Sequence, residues 1–390
     1  MTGKAGKNRD DYKKVNRGLV LKMVATGQCA SRAELVENTG LSKMTISNIV
    51  AEMLYQGLLA ECGETQNGDP RRKRIRLEIS PKAPKVIGLG ILRDRCEAVL
   101  CSFDMKVLRR EKIIHGGNMS EEVLVHHVYQ LIDTLLHEEP GVLSIGIASI
   151  GPLNIRAGRI LKPNYFYGIE NVEIVKIISE RYHLPVYFNN DNQSAVLMEH
   201  LFGNGRGYSD ILLVRIGEGV GCGVLSSEHP DINSRSLLPE LGHVSIDYAG
   251  KPCICGRKGC LETYVRTSEL LDRLYEKTGK YYAYETFCKI TDDQEVEEVF
   301  IDAVEKTAGA IVSTLNILNS ELILLAGDPI YWNNRYVELL EETINRYRFT
   351  KWADRIIVKP VFYGEDVTVM GAACNAVTPV FDGELLFEER

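Results

Sequence analysis

The 390-residue chain has no run approaching the roughly 18 uninterrupted apolar residues that a membrane-spanning helix needs. Its first stretch, Met1 to Lys14, is polar and basic and lacks the apolar centre of an export signal, so the expected location is the cytoplasm, with no membrane partner. Compositional bias is missing too. Hydrophobic residues at 45% and charged residues at 25% are ordinary for a globular protein, which argues against disorder and against a fibrous repeat. A disulfide framework is not expected: ten cysteines in a cytoplasmic chain of this length read as free thiols or metal ligands, and spacing must decide between the two. At roughly 150 residues per domain, the length implies two or three units.

Charge is unevenly spread. Residues 1–85 hold 16 Lys and Arg against 9 Asp and Glu, a balance of +7 inside a chain whose total is -7, which leaves -14 for the remainder. A small basic end on a large acidic body fits a nucleic-acid-binding head, because neutralising phosphates supplies most sequence-independent affinity. A solvated basic tail would show the same charge, so pattern has to separate them. Val15, Leu19, Leu21 and Val24 fall at helical spacing, and the helix they predict stops near Gly27. Ser31 with Glu34 is a capping-box signature opening a second helix that ends at Thr39-Gly40; Ser42 caps a third that runs through Leu54. Helix, short glycine turn and helix form a helix-turn-helix. On the third helix Ile46, Ile49, Val50, Met53 and Leu54 make the inward stripe, while Ser42, Lys43, Thr45, Ser47 and Asn48 offer polar groups to DNA bases and phosphates. Two strands are expected around a glycine- and proline-bearing loop carrying Arg71, Arg72, Lys73 and Arg74, a basic wing suited to phosphate or the minor groove. The head, residues 1–80, resembles the winged-helix domains of bacterial repressors, which implies a double-stranded DNA operator as partner.

Residues 81–85 read as a proline-bearing linker to a body at 86–390, where strands alternate with helices. A hairpin is expected at 86–92 and 96–103, a helix at 121–138, a strand at 142–149, a helix at 170–182, a strand at 185–189 and a helix at 191–202. Strands at 211–216 and 220–225, a long helix near 294–318 and a strand at 322–325 follow. The class is α/β, with two successive halves expected to form two lobes and a ligand cleft. Within residues 243–260, His243, Cys253, Cys255 and Cys260 supply four soft donors, with glycines allowing tight turns. That set suits tetrahedral Zn2+ in a structural role, because four protein ligands leave no open position for water. Cys29, Cys62, Cys96, Cys101, Cys222 and Cys374 show no clustering and read as small packing residues.

Glu240-Leu241-Gly242-His243, followed by the Cys253-x-Cys255-Gly256-x-x-x-Cys260 segment and Leu261-Glu262, resembles the zinc and sugar segment of the ROK family of repressors and sugar kinases. The resemblance spans nearly the whole chain and implies a two-lobed sugar-kinase-like body of the actin and hexokinase ATPase type. It also implies that Glu240, His243 and Glu262 bind sugar hydroxyls, the histidine doubling as a zinc ligand. Asn189-Asn190-Asp191-Asn192 is similar to the family's sugar-contact segment, with Asp191 at the position of the kinase general base and Asn190 beside it. An aspartate at the start of a helix is also a good N-cap. Asn164 resembles another sugar contact.

Family kinases carry Asp-x-Gly-Gly-Thr at their first phosphate loop. Here the aligned residues are Gly90, Leu92, Arg93 and Asp94, so bulky side chains stand where backbone amides would approach phosphate. Glu218 stands for a threonine in the second loop, and Ala326-Gly327-Asp328 replaces the Gly-Gly turn at the adenosine pocket. Phosphoryl transfer relies on positioning and charge neutralisation, so the expected protein is no enzyme. It is a sugar-responsive transcriptional regulator, taking a sugar or sugar phosphate as effector and working as a homodimer or dimer of dimers. The alternative is an active ATP-dependent sugar kinase with a DNA-binding appendage.

Overall fold

The computed structural model describes residues 9–64, 75–139, 141–227, 239–290 and 292–386. It opens with α1 (Arg9–Ala25), α2 (Arg32–Thr39) and α3 (Lys43–Tyr55), then the antiparallel pair β1 (Leu59–Glu64) and β2 (Ile75–Ile79). Val20, Leu21, Leu35, Ile46, Val50 and Met53 are fully buried, so the three helices share one small core. Ser31 caps α2 by accepting the Glu34 amide at 3.3 Å, and Glu34 reaches back to the Ala30 amide at 2.8 Å, one residue upstream of the usual reciprocal bond. Gly40 takes the left-handed φ of 68° that ends α2, and Ser42 then caps α3 through the Thr45 amide at 3.1 Å. Arg17 of α1 holds Glu52 of α3 at 2.8 Å. The basic residues Arg71, Arg72, Lys73 and Arg74 lie outside the described residues.

The chain forms two compact units, residues 1–189 with 372–390, and residues 190–371. In the first, β3 (Lys85–Ile91), β4 (Arg95–Cys101), β5 (Val107–Ile114), α4 (Glu121–Glu138), β6 (Val142–Ser149), β7 (Leu153–Asn154), β8 (Arg159–Ile160), α5 (Ile174–Tyr182) and β9 (Val186–Asn190) follow the head. Their five-stranded sheet has the order β5-β4-β3-β6-β9, with β3 antiparallel to β4 and parallel to β6. Every residue of β3 is buried, which explains its unbroken apolar reading. Lys85, placed in the linker by sequence, begins β3, where its ammonium donates to the carbonyls of Pro81, at 2.7 Å, and Ala83. Helix α5 is shorter than expected because Val172 is committed to a bridge with Ile160.

The second unit holds α6 (Asp191–Phe202), β10 (Ile211–Ile216), β11 (Val220–Leu225), α7 (Glu262–Val265), α8 (Thr267–Thr278), α9 (Tyr284–Phe287), α10 (Gln294–Leu315), β12 (Leu322–Gly327), α11 (Asn334–Tyr347) and β13 (Ile357–Pro360). The sheet order is β11-β10-β12-β13, with β12 parallel to both β10 and β13. Phe300 of α10 stacks on Tyr336 of α11 with centroids 4.0 Å apart, and Trp332 donates to the Tyr284 hydroxyl at 2.9 Å. Large apolar side chains buried in this way are worth roughly 1.5–3 kcal/mol each.

The final helix α12 (Val367–Phe381) begins in the second unit and ends in the first. There Ser144 of β6 donates to the Ala376 carbonyl at 2.9 Å. Beyond its end, Gly383 lies against the Lys14 carbonyl of α1, and Gly18 of α1 lies against the Phe381 carbonyl; a Cβ on either glycine would collide with backbone. The N-terminal three-helix unit is thus seated on the C-terminal segment by a backbone-to-backbone seam that only residues without a side chain permit. Among the described residues no helix is long and apolar enough to cross a membrane.

Candidate functional site

His243 ends a short 3-10 turn, Leu241–His243, and the residues after it form a loop with little core of its own, since 254–258 are all exposed. Its shape comes from backbone bonds: Cys253 donates to the Arg257 carbonyl at 2.8 Å and Gly259 to that of Lys251 at 2.8 Å. Gly259 has φ 70° and packs so tightly on the Asp247 carbonyl that a Cβ would not fit. The result brings His243, Cys253, Cys255 and Cys260 together, with their ligand atoms all within 4.8 Å of one another. Cys253 Sγ is 3.6 Å from His243 Nδ1, and the sulfurs of Cys255 and Cys260 are 3.5 Å apart. The Arg257 backbone amide draws the Cys255 thiol down to about 7, whereas burial pushes Cys260 up. Four soft donors at this spacing can hold a metal ion, and a thiol already inclined to ionise is the right kind of ligand.

Of the residues expected to contact sugar, Asn190, Asp191, Glu240 and Glu262 belong to the second unit. Asn190 caps α6, its side-chain oxygen accepting the Asn192 amide at 2.9 Å and the Gln193 amide at 3.3 Å. Capping therefore falls to Asn190, although Asp191, the first helical residue, also accepts the Asn192 amide at 2.9 Å. Both residues are over 90% buried. Glu262 opens α7 and is oriented by the Val220 amide at 3.0 Å. Glu240 keeps access to solvent, yet crowding around its carboxyl raises its pKa; His243 opposes that shift, and the carboxylates of Asp191 and Glu262 add to it. Asp191, Glu262 and the metal-loop histidine are thus each within electrostatic reach of Glu240. Sequence reading did not find Val220, because a backbone donor leaves no residue-type signal.

Asn164 belongs to the first unit, where it is exposed and its carbonyl accepts from Arg93 at 3.3 Å. Across the second phosphate loop, Gly217 donates to the Gly219 carbonyl at 3.0 Å, and Thr267 closes onto Gly217 at 2.9 Å. The Thr267 hydroxyl also donates to Asp328, whose carboxylate sits 4.0 Å from where a Gly217 Cβ would stand. Burial raises the Asp328 pKa, as do the neighbouring charges of Glu218 and Glu285, against the Thr267 bond.

On α3, Ser42, Lys43, Ser47 and Asn48 are exposed and Thr45 is half-buried. Met44, not singled out from sequence, is 76% exposed on the same turn. An apolar side chain there is of the kind that can meet a thymine methyl.

Comparison with known proteins adds the family. A xylose repressor from Caldicellulosiruptor bescii is 26% identical over 362 residues, covering 88% of this chain and 90% of the repressor. The DNA-binding transcriptional dual regulator NagC of Escherichia coli K12 is 24% identical over 355 residues, covering 87% of this chain and 86% of NagC. In three dimensions the chain is similar to a ROK family transcriptional regulator described as a homologue of the E. coli MLC protein, with TM-score 0.78, 23% identity and coverage of 96% and 98%. A ROK hexokinase from Thermus thermophilus matches 76% of this chain with TM-score 0.65 and 22% identity, which bears out the sugar-kinase-like α/β fold. The ROK family model matches residues 86–378, and the chain belongs to the ROK family.

Proposed function

We propose that the protein is a sugar-responsive transcriptional repressor of carbohydrate metabolism genes. The observation that carries this reading is Glu240, whose carboxyl feels the charges of His243, Asp191 and Glu262, with His243 itself among the four clustered metal donors. Fixed carboxylate acceptors and an oriented imidazole match the hydroxyls of a sugar ring. The names of the relatives, repressors of xylose or N-acetylglucosamine systems, support the same reading. The metal is Zn2+, held by His243, Cys253, Cys255 and Cys260; such a closed site contributes folding energy and orients the loop. Asn190 adds a sugar contact beside Asp191, Asn164 of the first unit is a separate candidate, and a homodimer reads a two-fold operator with Ser42, Lys43, Thr45, Ser47 and Asn48 together with the basic wing.

Against the kinase alternative stand the half-buried Asp328 and its neighbour Glu218, whose acidic groups do not suit a triphosphate at the second phosphate loop. The test is operator affinity. DNA selected in vitro by the purified protein is titrated by fluorescence anisotropy with and without a panel of hexoses, pentoses and their phosphates. One or more sugars should shift the apparent Kd about tenfold, the usual scale of allosteric coupling, and Glu240→Gln should remove the shift while leaving sugar-free DNA binding intact. No shift with any sugar would defeat the proposal.

A further inference from the structure

Helix α3 has two opposite faces of different character. Ile46, Ile49, Val50 and Met53 are buried and make its inward stripe. Met44, Ser47, Asn48, Ala51 and Tyr55 are exposed and recur at helical spacing, so they form a single stripe on the far side. That stripe carries no charge. The acidic residue of the helix, Glu52, lies to one flank, where Arg17 of α1 neutralises it at 2.8 Å. No carboxylate therefore stands on the outward stripe to oppose a phosphate backbone.

The polar side chains near the start of α3 divide into two sets. Ser42 and Thr45 sit off the stripe and are tied together: Ser42 accepts the Thr45 amide at 3.1 Å, and the two hydroxyls meet at 2.9 Å. They hold the end of the helix. Ser47 and Asn48 make no side-chain hydrogen bond among the described residues, so their donors and acceptors remain available. Met44 is 76% exposed one turn before Asn48, and Ala51, one turn after it, ends at Cβ and lets a partner approach the helix backbone. A partner for this stripe must be apolar at one point and offer a paired donor and acceptor one turn away. Base edges in the major groove do so, since thymine carries a 5-methyl group and adenine presents N7 and its amino group side by side to an amide side chain. With 16 Lys and Arg against 9 Asp and Glu in residues 1–85, the surrounding charge favours that polyanion.

We propose that Met44 is a specificity-determining residue of the operator contact, packing its side chain on the 5-methyl of a thymine while the Asn48 amide takes an adenine. The two residues are one turn apart, about 6 Å along the helix axis, so the bases they read are near neighbours in one half-site. Cytosine in place of that thymine would lack the methyl and turn an amino group towards an apolar chain, which leaves the donor without a partner. The N-terminal half of a recognition helix is the part that reaches base edges. Ser42 and Thr45 accordingly fix the helix end, Lys43 on the flank meets phosphate, and base choice lies with Met44 and Asn48. The proposal rests on the operator-binding reading above and names the bases that the helix selects.

The experiment uses the full-length, metal-loaded protein and a duplex that it selects in vitro. Fluorescence anisotropy gives Kd for that duplex, for versions with single thymines replaced by deoxyuridine, which removes only the methyl, and for versions with single adenines replaced by 7-deazaadenine, which removes only the N7 acceptor. Deoxyuridine at the position read by Met44 should weaken wild-type binding about fourfold, the worth of one buried methyl-sized group. Met44→Ala should lose at least as much on the thymine duplex, become indifferent to deoxyuridine at that position, and bind a scrambled duplex as wild type does. Asn48→Ala should lose about tenfold and become indifferent to 7-deazaadenine at one position. Deoxyuridine sensitivity that is absent from wild type, or unchanged in Met44→Ala, overturns the proposal and leaves the repressor reading standing. So does a Met44→Ala protein with altered sedimentation mass and unaltered base preference, which assigns the stripe to a protein contact. Failure to select any DNA sequence overturns both.

Discussion

The metal loop at 243–260 and the turn at 92–95 are both glycine-flanked connections beside buried strands, but opposite forces hold them. The turn hangs between β3 and β4, whose residues are almost all buried, so its conformation is imposed by a sheet that would form whatever the turn contained. The metal loop has five consecutive exposed residues and owes its shape to short backbone bonds and four converging donors. A segment carried by a core can change its chemistry at little cost to stability, whereas one carried by ligands cannot lose a ligand without losing its shape.

Removing a ligand should give the largest effect. Cys253→Ser, or chelation of the wild type, is expected to lower unfolding free energy by several kcal/mol, the order expected when a structural metal is lost. Limited proteolysis should then cut within 251–258, and a colorimetric assay should find one metal released per chain from the wild type. Unchanged unfolding and an uncut loop would remove the basis for the contrast.

A matched pair of substitutions sharpens it. Gly259→Ala places a side chain at φ 70° against the Asp247 carbonyl and should destabilise by about 2–4 kcal/mol, combining left-handed strain with the displacement of backbone. Leu92→Ala in the half-buried turn should cost under about 1.5 kcal/mol. Urea denaturation of the two variants measures the difference, and similar losses would mean that the loops are held alike.

The smallest expected effect is a pH dependence on the turn's side. His115 stacks on His127 at 5.7 Å, and burial lowers both from the usual 6.5. Their neutral forms are favoured in the folded state, so the unfolded chain binds more protons below that value and stability falls as pH drops from about 6.5 towards their folded pKa values. The urea midpoint should decline over this window, and less so in a His115→Gln, His127→Phe double variant. A decline of equal size in both proteins would place the titration elsewhere.

Much of this was readable from residue order. The caps at Ser31 and Ser42, the apolar runs that became β3, β6, β10 and β12, and the four metal donors all depend on interactions within a few residues or within one loop. So does the charge pattern of the head. Other features had no local signature. Strand β5 alternates exposed and half-buried residues at the sheet edge and lacks a strong apolar period, and α12 is apolar enough to resemble a strand until its partners are known. That Asn190 takes the cap next to Asp191, that Val220 orients Glu262, and that Arg93 reaches Asn164 across 71 residues are outcomes of packing. Sequence alone determined which chemical groups were available and which short segments could hold a helix, a strand or a metal. Only tertiary structure decided which groups meet, because that depends on backbone donors and close approaches supplied by distant parts of the chain.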